Sequence, residues 1–286
     1  MNLPLVSVII PCYNHERYIV QCIASVLQQT YPNIQLIVID DGSKDRSVAL
    51  IEELCAVHQF EFEAQQNMGL SATLNKAIRQ YAKGKYIAVV ASDDYWHPEK
   101  IKRQVEFYEQ QAHYGLVFCD SFLVNDKSEI IGEIGRQRLK NECSFEDLML
   151  DRYGIPALTV MIKKEVYDTV GLFDEKMVVE DWDMWLRIAD QYKIGFLDEK
   201  LAYYRAHDSN ISARVELIID NQLQIIKKWE YKYPELCARA TKYWKIRALS
   251  VFAKKNKAVA AKYLDNSWCY LRDAKYRKYL FKYLFK

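Results

Sequence analysis

The first hundred residues alternate short apolar runs with amphipathic segments, and this alternation constrains the fold more than any other feature of the sequence. Residues 6–10, 34–40 and 86–91 are almost entirely apolar or small, as expected of strands that are covered on both faces. Between the first two runs, apolar side chains recur at helical spacing from Ile19 to Leu27. The order of strand and helix predicts an α/β fold with a mostly parallel central sheet flanked by helices.

Polar side chains follow these predicted strands at the points where the strands end. Tyr13 and Asn14 come after the first run, Asp40 and Asp41 stand at the end of the second, and Asp93 and Asp94 follow the run at 86–91. Ligands of open α/β sheets bind outside the carboxyl ends of the strands, so we expect these residues to face one ligand site. An ordinary explanation also holds at each position, because strand ends become loops and loops are polar.

The acidic pairs allow both a structural and a functional interpretation. Asp40 begins an Asp-Asp-Gly-Ser segment that is typical of a turn before a helix, but its carboxylate can also accept hydrogen bonds from a nucleobase or ribose. Asp93 is typical of a solvated turn, and at the end of a buried strand it is also well placed to bind Mg²⁺ or Mn²⁺.

From about residue 115 the pattern changes. Residues 115–125, 128–134 and 157–162 resemble strands, and residues 144–151 resemble a short helix. An amphipathic helix begins near Glu180, and short strands follow at 195–197 and 201–207. The chain after residue 212 is helical, rich in tyrosine and basic. We therefore predict one domain over 1–211, with halves at about 1–114 and 115–211, and a helical C-terminal region over 212–286.

Two further positions in the second half carry groups that can do chemistry. Glu180 and Asp181 begin a helix, where the macrodipole favours acidic residues and would keep Asp181 ionised for a general base. His207 follows a predicted strand; it is either a loop residue or an imidazole that completes the coordination of a cation.

Composition excludes several classes of protein. The net charge of +2 argues against nucleic-acid binding through a basic surface. Seven dispersed cysteines without a Cys-x-x-Cys pair indicate reduced thiols. The N-terminal segment lacks the charged start of a signal peptide, and no window reaches the roughly 18 apolar residues that span a bilayer. These features predict a cytoplasmic protein, at most lying on the inner face of the cell membrane.

Five blocks, in order and with normal spacing, resemble the inverting glycosyltransferases of family 2, which have the GT-A fold. The blocks are VSVIIPCYNHERYI, IQLIVIDDGSKDRS, NMGLSATLNKAI with KGKYIAVVASDD, GLFDEKMVVEDWDMWLRIA, and YYRAHDSNIS. The resemblance covers most of residues 5 to 212. It implies transfer of a sugar from a nucleotide-sugar, with a UDP-sugar expected, to a saccharide or lipid-linked saccharide in surface polysaccharide biosynthesis.

The resemblance also implies roles for individual residues. Those that it places at the nucleotide are Pro11, Tyr13, Asn14, Asp40, Asn67 and Asp93. Asp93 and His207 would lie at an Mn²⁺ or Mg²⁺ ion on the diphosphate, and Asp181 would be the catalytic base. Acceptor or supporting roles fall to Asp94, Glu180 and Arg205.

Two positions depart from the family pattern. Ala91 stands where an acidic residue is common, and Thr73 stands where an arginine is common, so Arg205 or Lys76 would have to help stabilise the diphosphate. These departures leave two alternatives open: a catalytically impaired module that binds sugar nucleotides, and a sugar nucleotidyltransferase. The second is disfavoured because the segment after the first strand has neither a glycine nor a run of lysines.

The end of the chain, AKYRKYLFKYLFK, has the pattern of a basic amphipathic helix. Tyr276, Tyr279, Leu280, Tyr283 and Leu284 share one predicted face, with lysines largely beside or opposite it. Such a helix either lies on an anionic membrane, through residues 271–286, or packs on the rest of the protein.

Overall fold

The computed structural model describes residues 3–135, 142–207, 214–265 and 268–285. It divides into two compact units. The first comprises Met1–Leu148, Tyr153–Lys176 and Glu180–Asp208, and the second comprises Met149–Arg152, Met177–Val179 and Ser209–Lys286. The predicted domain boundary between residues 211 and 212 lies outside the described residues.

The strands all belong to the first unit. They are β1 (Val6–Cys12), β2 (Ile34–Asp40), β3 (Glu61–Ala64), β4 (Tyr86–Val89), β5 (Tyr95–Trp96), β6 (Tyr114–Val124), β7 (Ile130–Ile134), β8 (Glu142–Cys143), β9 (Met161–Lys163) and β10 (Lys193–Arg205).

Helices follow most of the strands. In chain order they are α1 (Ile19–Leu27), α2 (Ser47–His58), α3 (Leu70–Lys76) with a π-helical continuation (Ala77–Tyr81), α4 (Lys100–Gln110), α5 (Phe145–Met149), a 3₁₀ turn (Ala157–Thr159), α6 (Lys164–Val170) and α7 (Glu180–Gln191). The second unit continues with α8 (Val215–Lys228), α9 (Pro234–Phe252), α10 (Lys257–Ala261), α11 (Trp268–Leu271) and α12 (Ala274–Phe285).

In the described part of the chain the strands form one sheet, in the order β3-β2-β1-β4-β9-β6-β10-β5, with β7 paired to β6 and β8 to β10. The first four strands along this order are parallel, and β10 is parallel to β6. The short strand β9 lies antiparallel between β4 and β6. The prediction of an α/β sheet is confirmed, and the antiparallel pairings are concentrated in its second half.

Burial explains why the parallel half reads as continuous apolar runs. Every residue of β1 is buried, and the last five residues of β2 are buried as well. Helix α1 covers this part of the sheet with a face that includes Ile19, Ile23 and Val26. A strand covered on both faces has no solvent side, so alternation disappears from its sequence.

Three predicted boundaries shift. The first strand continues through Pro11 to Cys12 instead of ending before the proline. Val90, just after β4, donates its N–H to the backbone oxygen of Ile9, so the backbone polar groups of Ile9 face β4. Pro11, two residues later in β1, faces the same side but lies beyond the end of β4. Its missing N–H therefore costs no hydrogen bond of the sheet. The strand predicted at 157–162 begins as the 3₁₀ turn, and the two short strands predicted at 195–207 are the single strand β10.

In its described residues the second unit consists of helices joined by turns and short irregular segments, without a strand. In α12, Tyr276 is fully buried, and its hydroxyl hydrogen-bonds to the backbone N–H and the backbone oxygen of Asp265. The large apolar side chains of α12 that remain exposed are Phe281 and Leu284, each at 56%. None of the described helices combines the length and the apolar character that a bilayer-spanning segment needs.

Candidate functional site

Loops from the carboxyl ends of the first three strands are joined by hydrogen bonds. Asn14, after β1, donates its backbone N–H to Ser43 Oγ at 2.8 Å and accepts the backbone N–H of Lys44 at 2.7 Å. Asn67, after β3, donates its side-chain amide to the backbone oxygen of Asp41 at 2.8 Å. The polar residues that the sequence placed at separate strand ends therefore meet at one rim of the sheet.

Asp40 holds the turn at this rim instead of facing solvent. It is fully buried, and its carboxylate accepts the N–H groups of Gly42 and Ser43 and the hydroxyl of Ser43. Gly42 has a φ of +80°, and a Cβ there would lie 2.8 Å from the backbone nitrogen of Asn67. The carboxylate therefore holds its own turn, and its contact to a base or ribose stays a prediction.

Asp41, which the sequence predicted only to lie at this edge of the sheet, holds the loop after β3. Its Oδ1 accepts the N–H of Met68 at 2.7 Å and the side-chain amide of Gln65 at 2.8 Å. Its Oδ2 accepts the N–H of Gly69 at 2.9 Å. A buried carboxylate with three donors fixes the loop backbone.

The remaining residues predicted at the nucleotide differ in exposure. Tyr13 is 47% exposed, and Asn14 and Asn67 are exposed as well. Pro11 is buried inside β1, at the start of the loop, and its place at the nucleotide stays a prediction.

A cluster of His15, Asp93 and His207 lies at the same rim. His207 Nε2 is 2.9 Å from Asp93 Oδ2, and His15 Nε2 is 3.9 Å from the same oxygen. His15 follows β1, Asp93 follows β4 and His207 follows β10, so three strand ends contribute one side chain each. The structure thus brings Asp93 and His207 together, as the family resemblance implied, and adds His15, which was missed although it lies two residues after Tyr13.

Neighbouring side chains hold the two imidazole rings. Ser92 Oγ is 2.7 Å from His15 Nδ1. The ring of Tyr18 stacks on His207 with centroids 5.4 Å apart and meets the edge of His15 at 6.1 Å. The Tyr18 hydroxyl donates to Asp126 at 2.9 Å, which fixes this ring in turn. Burial lowers the pKa of His15 despite the carboxylate beside it, so its imidazole is neutral at pH 7.

Asp94 and Arg205 support the turn that carries Asp93. The backbone N–H of Arg205 donates to Asp94 Oδ1 at 2.8 Å, and its guanidinium donates to the backbone oxygen of Asp93 at 2.9 Å. The guanidinium lies over the rings of Tyr18 and Tyr95 at 4.8 and 5.5 Å. Burial, followed by the charge of Asp93, raises the pKa of Asp94 well above its usual range.

The two cations considered as substitutes for the family's arginine are engaged with protein groups. Arg205 is buried as described. Lys76 Nζ lies 2.6 Å from Glu63 Oε1 and 3.0 Å from Gln65 Oε1. Thr73 is fully buried, and its hydroxyl accepts the side-chain amide of Gln65 at 2.9 Å.

Glu180 and Asp181 occupy the first turn of α7. Burial raises the pKa of Asp181 to about 6 and that of Glu180 as well, Glu180 being raised further by the charge of Asp181. A pKa of about 6 still leaves Asp181 mostly ionised at pH 7, although loss of solvent raises this pKa where the helix macrodipole alone would lower it. Asp181 Oδ1 accepts the backbone N–H of Trp182 at 2.7 Å. Among the described residues, Asp181 shares no hydrogen bond or ion pair with the cluster around Asp93.

The cluster fits a divalent cation. One carboxylate oxygen and two imidazole nitrogens lie within 4.8 Å of one another. Carboxylate oxygens suit Mg²⁺ and Mn²⁺, and neutral imidazoles bind divalent transition metals.

Comparison with known proteins identifies the family. The model of glycosyl transferase family 2 matches residues 7–149. An uncharacterised glycosyltransferase of Haemophilus influenzae is 30% identical over 224 residues, which is 74% of this chain and 68% of that protein. One of Rickettsia typhi is 30% identical over 214 residues, 72% of this chain and 65% of that protein, so the chain spans slightly less than two thirds of this relative.

Solved structures show the same fold. Residues 1–349 of TarS of S. aureus, in complex with UDP-GlcNAc, match with a TM-score of 0.67 and 19% identity, over 91% of this chain and 79% of that one. The mannosyltransferase PcManGT of Pyrobaculum calidifontis, in complex with GDP-Man and Mn²⁺, matches with a TM-score of 0.65 and 18% identity, over 98% and 86%. The chain has the GT-A fold and belongs to glycosyltransferase family 2.

Proposed function

We propose that this protein transfers a sugar from a nucleotide-sugar to a hydroxyl group of a saccharide acceptor, with inversion at the anomeric carbon. The contact between Asp93 and His207, 2.9 Å apart at the rim where the strand-end loops meet, carries this proposal. A carboxylate and an imidazole from β-strand ends far apart in sequence have no structural need to meet there. Membership of glycosyltransferase family 2 supplies the class of reaction.

The donor would lie on the loops after β1, β2 and β3. Tyr13, Asn14 and Asn67 are exposed there and would face a base and ribose. The side chains of Asn14 and Asn67 also bond loop backbone groups, and the buried Asp40 and Asp41 keep the loop backbones in place. A UDP-sugar is the proposed donor. The support for a nucleotide-sugar comes from the GT-A proteins solved with UDP-GlcNAc and with GDP-Man.

Asp93 and His207 would hold an Mn²⁺ or Mg²⁺ ion that neutralises the charge developing on the departing nucleoside diphosphate. The backbone of Asp93 is fixed by Arg205, so its carboxylate is presented without rearrangement of the turn. Arg205 and Asp94 act in this proposal as supporting residues, because the first is buried over two tyrosine rings and the second accepts a backbone N–H.

Asp181 is proposed as the catalytic base, and Glu180 as its supporting neighbour. The Asp181 carboxylate takes the proton of the acceptor hydroxyl, while the hydroxyl oxygen forms a bond to the anomeric carbon and the bond from that carbon to the diphosphate breaks. The neighbouring acid Asp183 is a poorer base, because it is buried and its Oδ2 accepts from Arg187 Nε at 2.9 Å.

The acceptor is proposed to be a saccharide or lipid-linked saccharide of surface polysaccharide biosynthesis at the inner face of the cell membrane. Membrane contact through residues 271–286 would rest on exposed Phe281 and Leu284 and on the lysines of α12, because the other predicted apolar residues are buried or half-buried. Replacing both exposed residues by serine is expected to reduce sedimentation with anionic liposomes, and unchanged sedimentation would remove this part of the proposal.

Replacement of Asp181 by asparagine tests the proposed chemistry. We expect hydrolysis or transfer from a UDP-sugar with Mn²⁺ to fall by about 10² to 10⁴-fold, because the base is lost, while UDP affinity is unchanged. Asp168→Asn, an exposed acid on α6, is the matched control. A wild-type protein that binds UDP-sugars but never turns them over would instead be the impaired binding module.

The pH dependence of the rate sharpens this test. Because the pKa of Asp181 is raised to about 6, its carboxyl group is protonated below that pH and cannot accept a proton. The rate is therefore expected to rise with pH through an apparent pKa near 6 and to level off above it. A rate that is flat between pH 5 and 7 would count against Asp181 as the base.

A further inference from the structure

We propose that His15 is a third protein ligand of the cation at Asp93 and His207, and that this second imidazole makes the site prefer Mn²⁺ over Mg²⁺. The inference rests on the proposed function, which needs only Asp93 and His207 at the ion. It extends that function by naming a residue that selects the metal.

The spacing of the donor atoms suits a shared ion. In an octahedral site with bonds of about 2.1 Å, adjacent donors lie roughly 3 Å apart and opposite donors roughly 4.2 Å apart. His207 Nε2 and His15 Nε2 lie 2.9 and 3.9 Å from Asp93 Oδ2. The first distance is close to the spacing of adjacent donors, and the second lies between the spacings of adjacent and opposite donors. The ligand nitrogens of the two histidines lie within 4.8 Å of each other. A surface histidine without such a role would have no reason to share an oxygen with His207.

The ring of His15 is already oriented for ligation. Ser92 Oγ lies 2.7 Å from His15 Nδ1, which leaves Nε2 on the side of Asp93. Ser92 is buried and adjoins Asp93, so one turn carries both the ligand oxygen and the group that orients the imidazole. Metal-bound histidines normally have such an outer partner on their second nitrogen.

The backbone of His15 is held as well. Its N–H donates to Ser47 Oγ at 3.0 Å, and its ring meets the edge of Tyr18, the same ring that stacks on His207. The centroids of the two imidazoles are 6.0 Å apart with their planes at 80°. Tyr18 is thus a positioning residue for both imidazoles at once.

The chemistry of the donors determines which metal the site prefers. Mg²⁺ prefers oxygen ligands and is reluctant to lose its waters, whereas imidazole nitrogen suits divalent transition metals. Replacing one oxygen or water ligand by the nitrogen of His15 should favour Mn²⁺. Removing that nitrogen should reduce the preference without destroying the site, because Asp93 and His207 remain.

The experiment measures Mn²⁺ by electron paramagnetic resonance in the full chain with UDP present. His15→Ala is expected to weaken Mn²⁺ binding by about tenfold or more and to change Mg²⁺ affinity, measured by competition, much less. Pulsed measurements should detect nitrogen coupling from two histidines in the wild type and from one in His15→Ala. His58→Ala, an exposed histidine at the end of α2, is the matched control. His15→Gln provides a second variant if His15→Ala does not fold.

Different failures can be told apart. If folded His15 variants keep the Mn²⁺ affinity of the wild type and still show nitrogen coupling from two histidines, the inference is overturned. The proposed binding of the cation by Asp93 and His207 would then be unaffected. Weaker UDP binding with an unchanged nitrogen count would show that His15 contacts the nucleotide, and it would overturn the inference too. If the wild type takes up no Mn²⁺ with UDP, the inference falls, and sugar transfer in the presence of EDTA decides whether the proposed reaction survives.

Discussion

The two acidic pairs of this protein look alike in sequence and differ in structure. Asp40 and Asp41 end the second strand, and Asp93 and Asp94 follow the fourth. In the first pair both carboxylates are buried and accept hydrogen bonds from neighbouring loop groups. In the second pair Asp94 is buried in the same way, but Asp93 is only half-buried and faces two imidazoles.

The difference lies in what satisfies each carboxylate. Backbone N–H groups are permanent partners, so a carboxylate that accepts several of them becomes part of the loop's framework. Asp93 instead meets side chains whose nitrogen lone pairs can serve a cation. The first pair therefore holds the loops after β2 and β3, and we propose that Asp93 is the acid available for ligand chemistry.

Asp93→Asn should produce the largest effect and sharpen the comparison. Loss of a carboxylate that holds a charge-neutralising ion is expected to slow sugar transfer by about 10³-fold, equivalent to about 4 kcal/mol. The free energy of unfolding in urea should change by less than about 1 kcal/mol, because the side chain keeps its size and partial exposure. A loss of stability matching the loss of activity would break the distinction between the pairs.

Asp41→Asn should show the opposite balance. The substitution places an amide donor against the N–H of Gly69 or Met68 and removes hydrogen bonds to a charged acceptor, so about 2 kcal/mol of stability should be lost. Urea unfolding measures this directly, with Asp93→Asn as the matched variant. If Asp41→Asn is as stable as the wild type, the framework role is wrong.

Tyr13→Ala should produce the smallest effect. Stacking of a base on an aromatic ring contributes about 1 kcal/mol or more, so UDP affinity is expected to fall about fivefold or more. Stability should not change, because the ring is 47% exposed. Tyr231→Ala, at 84% exposure in the second unit, is the control. Equal UDP affinity in both variants would remove Tyr13 from the donor site.

Much of this arrangement could be predicted from spacing along the chain. The alternation of buried runs and amphipathic segments predicted the parallel strands, and the polar ends of those strands predicted the rim where Asp93 lies; that His207 joins it there was implied by the family resemblance. Such predictions succeed because strand direction in a parallel sheet dictates which edge receives each loop.

Hydrogen-bond partners could not be predicted in the same way. Whether Asp40 faces a ligand or its own turn depends on the left-handed conformation of Gly42 and on the close approach of Asn67, which only the folded loops show. The position of His15 depends likewise on Ser92, 77 residues away. The proposed roles of Asp181 and of the nucleotide-facing residues stay predictions.

The most direct test of the account is calorimetric titration of UDP into the wild-type protein, with Mn²⁺ and with EDTA. We expect Mn²⁺ to tighten UDP binding by about tenfold or more, roughly 1.4 kcal/mol, and Asp93→Asn to abolish this gain. Equal affinity in Mn²⁺ and EDTA for the wild type would contradict the claim that Asp93 serves a cation at the donor's diphosphate.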